Sequence, residues 1–119
     1  MNEWTVLECL HTLLVLSDDE RTEALPLCRS AADEIRERLK TGADPDDPRL
    51  SRAAAGIAYY RWLLRQNAQN ADVSFFKAGD VTVHRGGTLP ETRGAQIRDE
   101  MLEPALPLLR DERFLFRAI

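Results

Sequence analysis

The stretch Ser17-Asp18-Asp19-Glu20, followed by Leu25, Cys28, Ala32, Ile35 and Leu39, decides the fold class. Ser17 and Glu20 stand in the spacing of a capping box, in which the Ser hydroxyl accepts from the backbone N–H of residue 20 and the Glu carboxylate accepts from that of residue 17. Three acidic residues in the first turn suit the positive end of a helix dipole. The apolar residues that follow recur at steps of three and four, which is one stripe of an amphipathic helix. Arg29, Asp33, Glu34, Arg36, Glu37, Arg38 and Lys40 fill the opposite face, and Glu34–Arg38 is a favourably ordered i,i+4 pair. Pro26 removes one helical hydrogen bond, so a kink or restart is expected near Ala24–Leu25. Gly42 is placed to end the helix.

Working outward, a first helix is expected over about residues 3–15, with Leu7, Leu10 or His11 and Leu14 at helical spacing. It is apolar on more than one side, as for a central helix or one covered by a partner. On the other flank, Asp47 reads as an N-cap and Pro48 as the first residue of a third helix. That helix is expected to reach about Asn67, with Leu50, Ala53 or Ala54, Ile57, Tyr60 or Arg61 and Leu64 inward. Its Ala53-Ala54-Ala55-Gly56 patch predicts close helix–helix packing, and Tyr59, Tyr60 and Trp62 read as core and interface anchors.

Helix propensity falls at Asn67-Ala68-Gln69-Asn70. The β-branched and aromatic alternation of Val73-Ser74-Phe75-Phe76 and Val81-Thr82-Val83 around Ala78-Gly79-Asp80 then predicts a short hairpin or extended arm over about residues 72–84. Such an arm is marginal alone and must pack on helices or on another chain. Arg85–Pro90 reads as a loop, the arm and loop together covering 72–90. A fourth helix is expected from Glu91–Thr92 through Ala95, Arg98, Met101 and Leu102, broken or bent by Pro104 and Pro107. The apolar, aromatic C-terminal tail, 111–119, is expected to be tied down on this domain or on a partner. The expected architecture is mostly α: about four helices in a small bundle with one β element, as a single domain over residues 1–119.

Composition fits that class. With 119 residues, 44% of them apolar and 30% charged, the chain is neither disordered nor collagen-like. No run of about 18 apolar residues suggests a membrane span, and Met1-Asn2-Glu3-Trp4 does not open as a signal peptide does. The net charge of −4 is unevenly spread: residues 1–50 hold 6 basic against 12 acidic residues, residues 51–119 hold 10 against 8. A net negative chain is a poor general binder of DNA phosphates.

Site chemistry is sparse. Cys9, His11, Cys28 and His84 show no zinc-ligand spacing, and the two cysteines read as core residues. Gly86-Gly87 lacks the pattern of a phosphate-binding loop. No catalytic residue, cofactor or metal is expected. An enzyme would need a convergent cluster such as Ser74, Asp80 and His84.

In order along the chain, four stretches carry a family resemblance: Leu25–Ile35, Ala53–Trp62, Val73–Val83 and Leu108–Arg117. Together they resemble the small head–tail connector (adaptor, or head-completion) proteins of long-tailed double-stranded DNA bacteriophages and prophages. The resemblance implies a helical protomer, twelve copies of which form a ring beneath the portal protein. It would offer a platform to the next tail-side connector or tail-terminator protein, with DNA passing through without sequence-specific binding. The implied location is the virion, and the host cytoplasm during assembly. On this reading Phe75, Phe76, Lys77, Gly79 and Asp80 are candidates for arm contacts, and Phe114 and Phe116 for tail docking. The alternative is a host-type helical protein–protein interaction or regulatory module.

Overall fold

In the computed structural model the backbone is described for residues 1–76 and 81–110, and side chains for 1–68 and 92–110. Four α-helices occur among these residues: α1 (Glu3–Leu13), α2 (Asp18–Glu37), α3 (Pro48–Phe76) and α4 (Val81–Leu102). A 3-10 helix, Glu103–Leu108, follows α4. The mostly helical architecture expected from the sequence is the one observed.

The caps are local chemistry. Asn2 caps α1 by accepting from the Thr5 N–H at 2.9 Å. The capping box of α2 is complete: the Glu20 N–H donates to Ser17 Oγ at 3.2 Å, and the Ser17 N–H donates to Glu20 Oε1 at 2.9 Å. Asp47 accepts from the Arg49 N–H at 2.9 Å at the start of α3, and its backbone carbonyl accepts from the Leu50 N–H at 2.9 Å. The bidentate Arg49 guanidinium holds the Asp47 carboxyl well below the usual range, at about 2.

The centre of the bundle is α3. Leu50, Ala53, Ala54, Ala55, Ile57, Ala58 and Trp62 are all buried, so the alanine patch is enclosed on several sides. α1 contributes Val6, Leu7 and Leu10 to the core; α2 contributes Ala24, Cys28, Ala31, Ala32 and Ile35. Small side chains let α4 come very close. A Cβ on Gly56 would stand 2.8 Å from Met101 Cβ, and one on Gly94 would stand 2.7 Å from Leu63 Cδ1. These two contacts run in opposite chain order, so α3 and α4 are antiparallel. Arg98 stacks on the Tyr60 ring at 4.5 Å across the same seam.

Three expectations are corrected. The hairpin or arm over 72–84 is not seen in the described part of that span: residues 72–76 complete α3 and residues 81–84 open α4, while 77–80 lie outside the described residues. Among the described residues there is no strand, only an isolated antiparallel bridge between Leu39 and Leu109. Helix four accordingly starts at Val81, not near Glu91, and takes in Gly86, Gly87 and Pro90. The reason is non-local. The α3–α4 register continues both helices beside one another, and the preference of Val, Phe and Thr for strands yields to tertiary context. Second, α2 does not restart near Pro26 but runs through it as one helix. Pro26 and Thr22 are both exposed, so water can replace the missing donor to the Thr22 carbonyl. Third, α2 ends at Glu37 rather than at Gly42. There the backbone leaves the helix to pair with the end of the 3-10 helix and the residues just beyond it: the Lys40 N–H donates to Leu108 O at 2.9 Å, and the Arg110 N–H donates to Arg38 O at 2.6 Å. Gly42, at φ +88°, serves the turn that follows.

Candidate docking site

A groove of about 470 Å³ lies between α1 and α2, lined by Trp4, Leu7, Glu8, His11, Arg21, Thr22 and Leu25. The helices build it by spacing. Residues 4, 7, 8 and 11 stand at i, i+3, i+4 and i+7, one edge of α1, and residues 21, 22 and 25 share one edge of α2. Leu7 is buried and forms the floor with half-buried Leu25, while Glu8, Arg21 and Thr22 are exposed along the rim.

Trp4 is 59% exposed, although it is the largest apolar side chain of α1. Val6, Leu7 and Leu10 take the face toward the core, and Trp4 falls outside it. Val15, after α1, is 83% exposed. Of the two situations that an apolar first helix implied, the central position belongs to α3, and α1 is an outer helix with an uncovered apolar edge.

The walls are braced. Arg29 of α2 reaches Glu3 of α1 at 3.5 Å, and the Arg36 guanidinium donates to Met1 O at 2.8 Å. At the other end, His11 Nδ1 accepts from the Leu16 N–H at 3.3 Å. That bond orients the ring in the groove. On its far side, α2 is tied to α3 by Glu34–Arg61 at 2.5 Å and Glu23–Arg65 at 3.7 Å. The groove is therefore a pre-formed apolar cleft with charged edges, shaped to take an apolar or aromatic side chain flanked by polar groups.

The cysteines lie in the core as expected. Cys28 is buried and Cys9 half-buried, and both are free thiols. Burial pushes the Cys28 thiol up to about 12, with the neighbouring Cys9 adding to the effect. Burial also raises Cys9, partly offset by Arg52. Among the described residues no group of three or more His, Cys, Asp or Glu side chains could hold a metal ion. Also among them, no helix is long and apolar enough to cross a membrane.

Of the residues expected to make contacts, Phe75 and Phe76 lie in the last turn of α3, their side chains outside the described set. Lys77, Gly79, Asp80, Phe114 and Phe116 lie outside the described residues. Ser74 and His84 fall in α3 and α4, and Asp80 is again outside. Sequence reasoning did not single out the groove. Its available signal was Trp4 with Leu7, Glu8 and His11 at helical spacing, a tryptophan off the stripe that Val6 and Leu10 define.

Comparison with protein-family models, with curated proteins and with solved structures gives no match.

Proposed function

We propose that this chain is a structural assembly protein that acts by docking onto other proteins, and that its setting is the head–tail junction of a long-tailed double-stranded DNA bacteriophage. The carrying observation is the open apolar groove between α1 and α2, with Trp4 more than half exposed at its mouth. Tryptophan beside a concave apolar surface with a polar rim is the composition of a binding hot spot. A solitary surface tryptophan in a pre-formed cleft gains little from its own fold and much from being covered by a partner.

The particular setting rests on the sequence resemblance. A ring of twelve copies beneath the portal would join the DNA-filled head to the next tail-side protein. The fold is compatible with that use. The charge is uneven, acidic over residues 1–50 and mildly basic over 51–119, which offers opposite charges to a repeated head-to-tail contact. A net charge of −4 keeps the protein from gripping phosphates, which suits a conduit through which DNA moves. The function is binding and positioning, without catalysis or cofactor.

The test is electron microscopy of the protein mixed with the portal protein encoded beside it. Ring density on the portal supports the proposal. Its absence under assembly conditions removes the setting, and a gene neighbourhood without portal and tail genes points to the host-type interaction module.

A further inference from the structure

We infer that the α1–α2 groove is the receptor for residues 111–119 of a second copy of this chain. The inference deepens the assembly reading by naming one partner of the groove, and it does not depend on which assembly the chain serves.

Three observations carry it. First, the segment has the chemistry that the groove asks for. Phe114-Leu115-Phe116 is an aromatic, apolar triplet, preceded by Asp111-Glu112 and followed by Arg117. The groove offers an apolar floor at Leu7 and Leu25, Arg21 on the wall from α2 and Glu8 on the wall from α1. Asp111 and Glu112 match Arg21, and Arg117 matches Glu8, which gives the docking a direction.

Second, the departure point of the segment is fixed. Arg110 is the last described residue. Its N–H donates to Arg38 O at 2.6 Å, and its guanidinium donates to Glu37 O at 2.6 Å. The segment therefore leaves from the C-terminal end of α2.

Third, that point and the groove lie on different sides of α2. Glu23–Arg65 and Glu34–Arg61 mark the side of α2 toward α3, and the preceding 3-10 helix packs against α3 and α4. Glu3–Arg29 marks the opposite side, toward α1, where the groove opens. The axial rise from Glu37 back to Arg21 is about 24 Å. A fully extended run from Arg110 to Glu112 spans about 7 Å. The register that sets Asp111 and Glu112 against Arg21 therefore cannot form within one chain. A second copy meets no such limit. A donor segment on one side and a receptor groove on another make a heterologous contact, which propagates into a ring or a filament.

The experiment uses full-length chains and sedimentation velocity across a concentration series. Two variants are made, Trp4→Ala, which empties the mouth of the groove, and the double variant Phe114→Ser with Phe116→Ser, which disables the segment. Wild type is expected to self-associate, and each variant to associate about 30-fold more weakly or worse, as loss of an aromatic anchor implies. Mixed in equal amounts, the variants are expected to form a heterodimer that grows no further, because one intact groove and one intact segment remain. A monomeric wild type at every concentration, a variant that associates as wild type does, or a mixture that stays monomeric overturns the inference. Should Trp4→Ala lose its helical circular dichroism, a second reading replaces it. A synthetic peptide of residues 111–119 is titrated onto the Phe114→Ser, Phe116→Ser chain, and the indole N–H resonance of Trp4 is followed. A saturable shift supports the contact, and no shift overturns it. Ring density on a portal alongside either negative result would leave the connector reading intact and remove only this self-contact.

Discussion

Substituting Gly56 by alanine tests the α3–α4 seam, on which the placement of α4 against the bundle depends. The new methyl would sit 2.8 Å from Met101 Cβ and 3.3 Å from Arg98 Cα. Saturated carbons settle at about 3.5–4.0 Å, so one helix must move by roughly 1 Å. Met101 Cβ cannot swing away, because it is fixed to the α4 backbone. Overpacking of this kind costs about 1–3 kcal/mol. Removing a helical glycine returns about 1 kcal/mol of propensity. The net expectation is a destabilisation of about 1 kcal/mol, with an upper bound near 2 kcal/mol. Gly94→Ala is the internal control. Its methyl would meet Leu63 Cδ1 at 2.7 Å, but that atom is the end of a side chain that can turn. Propensity then decides, and Gly94→Ala is expected to be neutral or stabilising by up to about 1 kcal/mol. Urea unfolding resolves the difference, and in thermal melts each kcal/mol corresponds to about 3–6 °C for a chain of this size. A Gly56→Ala protein as stable as wild type, or more stable than Gly94→Ala, would refute the close antiparallel register.

Four further outcomes are expected. Leu10→Ala, which empties a fully buried site on α1, should cost about 2–5 kcal/mol in chemical denaturation, whereas Trp4→Ala on the same helix should stay within about 0.5 kcal/mol of wild type. Ser17→Ala breaks the capping box and should cost about 1 kcal/mol, with loss of protection from hydrogen exchange in the first turn of α2. Asp47 has a folded pKa depressed to about 2 by Arg49. Its stabilising contribution is therefore complete above the unfolded carboxylate value near 3.9 and is lost as pH falls through about 2. NMR titration of the Asp47 carboxyl should show that midpoint, and Asp47→Asn should flatten the acid limb of stability between those values. Cys28, buried and with its thiol at about 12, should react with a thiol reagent only as the protein unfolds. Half-buried Cys9 should react before it, and the reverse order in mass-spectrometric labelling would contradict the packing of α2.

What the sequence revealed followed the range of the interactions concerned. The Ser17–Glu20 box, the Asp47–Pro48 start and the stripe through Cys28, Ala32 and Ile35 depend on neighbours within a few turns, and all stand where the sequence indicates. The alanine patch predicted close packing and provides it, at the centre of the bundle. The reading failed where distant chain decides. Val73, Phe75, Val81 and Val83 alternate as strand residues do, yet their backbone is helical, in register with a seam set at Gly56 and Gly94. Gly42 was ready to stop α2, but Leu108 and Arg110, some seventy positions on, stop it earlier. The groove was hidden for the same reason, since neither the Trp4 edge nor the Arg21–Leu25 edge is a cleft until α1 and α2 are set side by side.

The central claim is that the chain works by docking, with the α1–α2 groove as a contact surface in a head–tail ring. The most direct measurement is an electron microscopy reconstruction of the protein mixed with the portal protein proposed as its partner, at a resolution that places helices. The account predicts a closed ring of protomers in which Trp4 and the groove are covered by protein density. A portal without bound ring density, or a ring in which the groove of every protomer faces solvent, would contradict it.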